Sequence, residues 1–168
     1  LATAIGGGTV RDLLLDVPVF WMRNGIYFLI TLLALLLVVL FGKVVVRQKY
    51  TWFIFDTIGL GMFAVIGIEK TLGVGYPFWV AIVMGSVTGA GGGVIRDVFL
   101  NEVPLIFRAE IYAVACVLGG LAYWACYLCG WGNVSCGLVC GSVVILSRVL
   151  AVRYQINLPT LRDSDECA

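Results

Sequence analysis

The sequence predicts an all-α, polytopic membrane helix bundle, built from two inverted three-helix repeats plus a seventh helix. Composition, long uncharged runs and a motif that occurs twice support this prediction. Hydrophobic residues make up 61% of the 168 residues and charged residues 12%, whereas about a quarter of a soluble domain is charged. Mean hydropathy is +1.04. The run from Ile26 to Gly42 carries no charge over seventeen residues, about the minimum for a helix that crosses roughly 30 Å of hydrocarbon.

Six apolar segments follow one another along the chain. Each is predicted to be helical, because a segment in lipid must satisfy its backbone hydrogen bonds internally. The alternation expected of a membrane β-barrel is absent from the sequence. The first segment, from Leu1 to about Leu15, resembles the second half of a helix, and the others are residues 26–46, 53–70, 78–100, 111–129 and 134–152.

The motif GGGxxRD occurs twice, and residues 6–24 align with residues 91–110 after one gap. The chain is predicted to cross the membrane three times between the copies, so the copies should run in opposite directions. In transporters, interrupted helices at matching positions of an inverted repeat indicate a permeation or binding site near the midplane. The matched motif residues are Gly6, Gly7 and Gly8 with Gly91, Gly92 and Gly93, Arg11 with Arg96, and Asp12 with Asp97.

The repeat also predicts the organisation of the chain. Residues 1–50 form an incomplete first repeat, with a broken helix and one span, and residues 51–130 form a second repeat of three spans with a broken middle helix. Residues 131–153 form the final transmembrane helix, and residues 154–168 form a polar C-terminal tail. Because the second repeat has a helix ahead of its broken helix, we expect one further helix ahead of Leu1.

The triple glycines permit two interpretations. Glycine lowers helix propensity by about 1 kcal/mol relative to alanine and so favours a kink, but small residues also form packing faces between membrane helices. The inverted pair of copies, each followed by Arg-Asp, favours kinked helices that face a polar path.

The Arg-Asp pairs are likewise open to two interpretations. Neighbouring residues on a helix point about 100° apart, so we expect Arg96 and Asp97 to have separate partners rather than each other. Charges inside a membrane usually face the bundle interior or a wet cavity, where an arginine could act as a gate by pairing with Asp12, Asp97 or Glu69. Alternatively, the pairs lie at headgroup level and only end the helices. Asp56 is interpreted as a helix-end charge rather than an ion ligand.

The two GGGxxRD motifs, the helix from Asp56 to Lys70 and the segment EVPLIFRAEIYA from Glu102 to Ala113 resemble the prokaryotic TRIC family. These are homologues of the trimeric intracellular cation channels, grouped with bacterial proteins described as glycine transporters. The resemblance implies a homotrimer of seven-helix protomers, each with its own pore for monovalent cations such as K⁺ and Na⁺. It further implies that the segments around Gly6–Gly8 and Gly91–Gly93 kink and line the pore.

The leading functional hypothesis is therefore a monovalent cation channel in the inner membrane of a prokaryote, surrounded by membrane lipids. The alternatives are a secondary transporter for a small amino acid such as glycine, and a scaffold in which the glycines only pack. No catalytic set, metal-ligand quartet or cofactor motif is present, so we expect no enzyme, metal or cofactor, and a net charge of +1 predicts no nucleic-acid partner. The distribution of lysine and arginine places the C-terminus in the cytoplasm.

The cysteines form the patterns Cys126-x-x-Cys129 and Cys136-x-x-x-Cys140. With no histidine in the chain, we expect buried, inert thiols. A disulfide between Cys129 and Cys136 is a minor alternative.

Overall fold

Every predicted apolar segment forms a helix, which confirms the all-α membrane fold. The computed structural model describes residues 2–45, 49–108 and 112–154, and the predicted tail lies outside these ranges from residue 155 onward. The helices are α1 (Ala2–Leu14), α2 (Phe20–Arg23), α3 (Ile26–Val45), α4 (Lys49–Val74), α5 (Phe78–Phe99), α6 (Leu105–Arg108), α7 (Tyr112–Leu128) and α8 (Asn133–Arg153). The short helices α2 and α6 were not predicted.

Three stretches of the described chain are long and apolar enough to cross a membrane: Phe53–Val74 within α4, Phe78–Phe99 and Asn133–Arg153. Ile26–Leu40 and Tyr112–Leu128 are apolar but shorter. Tight turns join α4 to α5 and α7 to α8. Gly75 (φ +98°) precedes α5 and Gly130 (φ +77°) precedes α8, a backbone conformation that glycine adopts without steric cost.

The inverted repeat is visible in how α1 and α5 end. The N–H of Leu15 donates to the carbonyl of Arg11 at 2.9 Å, and the N–H of Leu100 donates to that of Arg96 at 3.0 Å. The next residues, Asp16 and Asn101, have φ values of 53° and 54°, and aspartate and asparagine tolerate this left-handed conformation better than most residues. The two motifs therefore share a local structure as well as a sequence.

The core lies around α5, which packs against α1, α4 and α7, while α8 packs against α4 and α7. Small residues dominate the contacts, as is usual where membrane helices approach closely. By contrast, α3 exposes most of its described aliphatic side chains. The buried core includes Leu60, Ala64, Ile68, Ala81, Ala90, Ala115, Cys116, Tyr123, Cys136, Cys140 and Val144.

Candidate functional site

The two Arg-Asp pairs lie at opposite ends of the bundle. Asp12 contacts Lys70, close to the end of α4, whereas Arg96 contacts Asp56, close to the start of α4. We call these the Asp12 end and the Asp56 end. This separation is what an inverted repeat produces, because its matching helices run in opposite directions.

Within each pair the arginine and the aspartate bind each other, so the prediction that they have only separate partners was wrong. Arg11 Nε donates to Asp12 Oδ1 at 2.9 Å, and Arg96 Nε donates to Asp97 Oδ1 at 2.8 Å. The prediction followed the directions in which neighbouring side chains leave a helix, but the long arginine side chain spans that angle. Both aspartates are buried, and a buried carboxylate requires a counter-charge.

Asp12 is the centre of the polar cluster at the Asp12 end. Its side chain is fully buried and receives hydrogen bonds from Lys70 Nζ at 2.8 Å to each oxygen. The backbone N–H of Phe20 donates to Asp12 Oδ2 at 2.9 Å. With Arg11 on the same carboxylate at 2.7 Å, one aspartate binds two cations. Lys70, which is half-buried near the end of α4, is therefore part of this ion cluster.

Asp56 is the corresponding centre at the Asp56 end. Arg96 Nη1 and Tyr112 Oη donate to Asp56 Oδ1 at 3.4 and 3.2 Å, and Arg148 Nη2 donates to Asp56 Oδ2 at 3.4 Å. These contacts are longer than the 2.8 Å bond between Arg96 and Asp97. The carboxylate thus joins α5, α7 and α8 through bonds near the outer limit of hydrogen bonding.

Sequence analysis did not identify Arg148 or Tyr112 as part of this site. Arg148 is only 3% exposed, and its guanidinium carbon lies 4.5 Å from the centroid of the Tyr112 ring and 5.5 Å from that of Phe53. A signal was present, because Arg148 is the one charged residue within the apolar run 134–152, and an ionisable residue inside a membrane is a functional candidate by default.

Gly7 and Gly92, the middle residues of the two triplets, bring the backbones of α1 and α5 into contact. A Cβ on Gly7 would collide with the carbonyl oxygen of Thr88, and a Cβ on Gly92 would collide with that of Thr3. Each threonine lies three residues before its own triplet. The two-fold symmetry of the repeat therefore relates the Gly7–Thr88 contact to the Gly92–Thr3 contact.

The other glycines of the triplets contact side chains. A Cβ on Gly6 would lie 2.8 Å from Ile95 Cδ1, one on Gly8 would lie 2.7 Å from Phe20 Cε1, and one on Gly93 would lie 3.1 Å from Tyr112 Oη. Both helices continue through their triplets without a break in secondary structure. The triplets therefore provide close packing, while a bend of the helix axis there stays a prediction.

A cavity of about 390 Å³ opens beside this crossing and extends to the Asp56 cluster. Of the predicted site residues, Gly93 and Arg96 line it, whereas Arg11 and Asp12 lie at the other end of the bundle. Asp56, the residue interpreted as a helix-end charge, also lines it. The lining residues are Thr3, Ala4, Thr31, Ala34, Leu35, Val38, Phe55, Asp56, Gly59, Leu60, Phe63, Gly89, Gly93, Arg96 and Tyr112.

The cysteines only partly match the expectation of buried thiols. Cys136 and Cys140 are buried, Cys126 is half-buried, Cys129 is exposed, and all four are free thiols. The described residues contain no group of three or more cysteines and carboxylates that could hold a metal ion.

Comparison with known proteins places this architecture in a family. A family model described as "Glycine transporter" matches residues 1–43 and 53–128. The chain is 39% identical to a UPF0126 membrane protein of Vibrio cholerae over 163 residues, covering 94% of this chain and 67% of the relative. It is 37% identical to the UPF0126 inner membrane protein YadS of Escherichia coli K12, covering 95% and 79% respectively.

Solved structures show the same fold. The TRIC orthologue from Rhodobacter sphaeroides superposes with a TM-score of 0.86 at 34% identity, covering 92% of this chain and 80% of that one. A second TRIC cation channel, from a structural study of conductance, gives a TM-score of 0.87 at 32% identity, covering 99% and 82%. With a family model that matches most of the chain, these similarities show that this membrane protein belongs to the prokaryotic TRIC family.

Proposed function

We propose that the protein is a monovalent cation channel, selective for K⁺ over anions, with one pore in each protomer. The observation that carries the proposal is the cavity beside the α1–α5 crossing, which is bordered by glycine backbone and ends at the Asp56 carboxylate. A carboxylate in a cavity attracts cations, and glycine leaves backbone accessible to an ion or to water. The similarity to solved TRIC cation channels supports the same function.

In this proposal Arg96 is the gate at the Asp56 end. Its side chain is 23% exposed and shares the cavity with Asp56, while its strongest contact is with Asp97. Since the Arg96–Asp56 contact is long, at 3.4 Å, a small movement of the guanidinium would separate the two groups. Asp56 would then be available to a permeating cation. Moving one charge across the whole membrane field changes the energy by about 2.3 kcal/mol per 100 mV. A small movement of the guanidinium crosses only a fraction of that field, so we expect the voltage dependence of this step to be shallow.

The proposed setting is a homotrimer in the inner membrane of a prokaryote, with membrane lipids around it and the C-terminus in the cytoplasm. The neighbours with the same fold are described as trimeric channels, and a relative is described as an inner membrane protein. The Asp56 end would face the cytoplasm, because most basic residues lie, in sequence, next to the end of α3, the start of α4 and the ends of α5 and α8. These are Lys43, Arg47, Lys49, Arg108, Arg153 and Arg162.

The gate is tested by replacing Arg96 with alanine and recording single channels in planar bilayers. We expect Arg96→Ala to raise the open probability at 0 mV several-fold, because it removes the more exposed of the two arginines that contact Asp56. Arg153→Ala is the matched control, since Arg153 is exposed near the same end and lies outside the cavity. Equal open probabilities for Arg96→Ala and Arg153→Ala would contradict the assignment of the gate.

A further inference from the structure

Glu69 and its neighbour Lys70 serve different parts of the molecule. Lys70 turns to Asp12, whereas Glu69 lies on another face of α4 and is exposed. Within the described part of the chain, the Glu69 carboxylate has no hydrogen-bond or ion-pair partner. The Glu69 carboxylate therefore takes no part in the ion cluster at the Asp12 end.

The carboxylate borders a second cavity, distinct from the one beside the α1–α5 crossing. This cavity has a volume of about 480 Å³ and lies between α4, α5, α7 and α8 at the Asp12 end. Glu69 also borders a neighbouring cavity between α4 and α8, where a Cβ on Gly137 would lie 3.4 Å from Glu69 Oε1. The residues that line the cavity of about 480 Å³ are Glu69, Leu72, Gly73, Phe78, Tyr123, Tyr127, Asn133 and Val134.

Three aromatic rings cluster in the wall of this cavity. The Phe78 ring lies 4.9 Å from the Tyr127 ring and 6.4 Å from the Tyr123 ring, centroid to centroid, and is tilted against both. Phe78 also stacks on Trp124, with the ring centroids 6.2 Å apart. Aromatic rings attract cations over their faces, and the carboxylate adds a formal negative charge to the same space.

We propose that this cavity binds an organic ammonium group. Aromatic rings with a single carboxylate suit a cation that carries apolar substituents, because the rings stabilise the ammonium while contacting its carbon atoms. A divalent metal ion fits less well, because it needs several oxygen ligands and Glu69 is the one carboxylate in the lining.

The position of the site suggests how such a group would reach it. Glu69 lies five residues before the end of α4 at Val74, which is about 7.5 Å along the helix axis. The span Phe53–Val74 has 22 residues and is about as long as the hydrocarbon layer is thick, so we infer that Glu69 lies just inside that layer, within reach of a lipid headgroup. The same ammonium chemistry is available from the headgroup of an ethanolamine phospholipid or from a free amine in solution.

The lipid source is tested by native mass spectrometry of the purified protein with phosphatidylethanolamine or phosphatidylglycerol of identical acyl chains. We expect retention of phosphatidylethanolamine to fall about fivefold to tenfold in Glu69→Gln and in Tyr127→Leu, because each removes one part of the cation site. The matched controls, Glu102→Gln and Tyr154→Leu, change exposed residues at the opposite end and should retain the lipid. A thermal melt of each variant confirms that it is folded.

The free-amine source is tested by titrating ethanolamine, with ethylene glycol as its uncharged analogue, and following tryptophan fluorescence. Trp124 stacks on Phe78, so an amine in the cavity should change the emission of the native protein but not that of Glu69→Gln. A response to the lipid alone assigns the site to the headgroup, and a response to ethanolamine assigns it to free amines. If neither probe distinguishes Glu69→Gln from the native protein, the proposal is wrong.

Discussion

Asp12 shows how strongly a single residue can determine the polar interior of this protein. It is fully buried and forms ion pairs with both Arg11 and Lys70, and Lys70 is 58 residues away in sequence. Removing one partner of a buried ion cluster leaves the others without compensation, which costs more than the cluster itself contributes. Asp12 therefore contributes more to the stability of this end than any other single charge in the cluster.

Replacing Asp12 with asparagine should lower the free energy of unfolding by about 3–5 kcal/mol, because the buried Arg11 and the half-buried Lys70 would lose their counter-charge. The measurement is chemical or thermal unfolding of the purified protein in detergent. The control is Asp16→Asn, which makes the same substitution at an exposed residue with φ 53°, a conformation that asparagine also tolerates. Equal stability of the two variants would contradict the role of Asp12.

The residue scale is also where prediction from sequence reached its limit. The Arg-Asp motifs marked Arg96, but its partner Asp56 lies 40 residues away and Arg148 lies 92 residues from Asp56. Such partners depend on which faces of α4, α5, α7 and α8 meet. A single sequence does not specify those faces, since each helix is apolar around most of its circumference.

At the scale of elements, the glycine triplets explain how α1 and α5 cross. The middle glycine of each helix lies against the carbonyl of the matching threonine on the other, so the crossing is symmetric and has no room for a side chain. Sequence analysis predicted both the repeat and its inversion, because the duplicated GGGxxRD motif and an odd number of spans between its copies were visible. It did not predict that the middle glycines serve mainly for contact, because helix propensity alone also favours a kink.

Gly92→Ala should lower the free energy of unfolding by about 1–3 kcal/mol, because its Cβ would overlap the Thr3 carbonyl and push the helices apart. Gly91→Ala is the control within the same triplet. Its Cβ would lie 3.4 Å from the Gly7 Cα, which is close to an ordinary van der Waals contact. The gain in helix propensity, about 1 kcal/mol, should therefore offset any loss of stability from this contact. Thermal unfolding of both variants, together with K⁺ flux, gives the comparison. Reduced stability with unchanged flux in Gly92→Ala would support a pure packing role.

At the scale of the whole molecule, the inverted repeat places one polar cluster at each end and a cavity between them. The all-helical fold and the repeat followed from composition, uncharged runs and the duplicated motif, whereas the family was inferred from the resemblance of the two motifs and of two further segments. The short helices α2 and α6 did not follow, because four-residue helices carry almost no periodicity. The cavity beside Glu69 could not be predicted from the sequence either, because it is formed where α4, α5, α7 and α8 meet.

The central claim is that the cavity beside the α1–α5 crossing belongs to a cation pore. The most direct measurement compares K⁺ and glycine fluxes in the same proteoliposomes, with unitary currents recorded from the same preparation in planar bilayers. We predict K⁺-dependent unitary currents, non-saturating K⁺ flux and no glycine uptake above that of empty liposomes. Saturable glycine uptake with counterflow, in the absence of any unitary K⁺ current, would contradict the channel and indicate a carrier that uses the same paired helices.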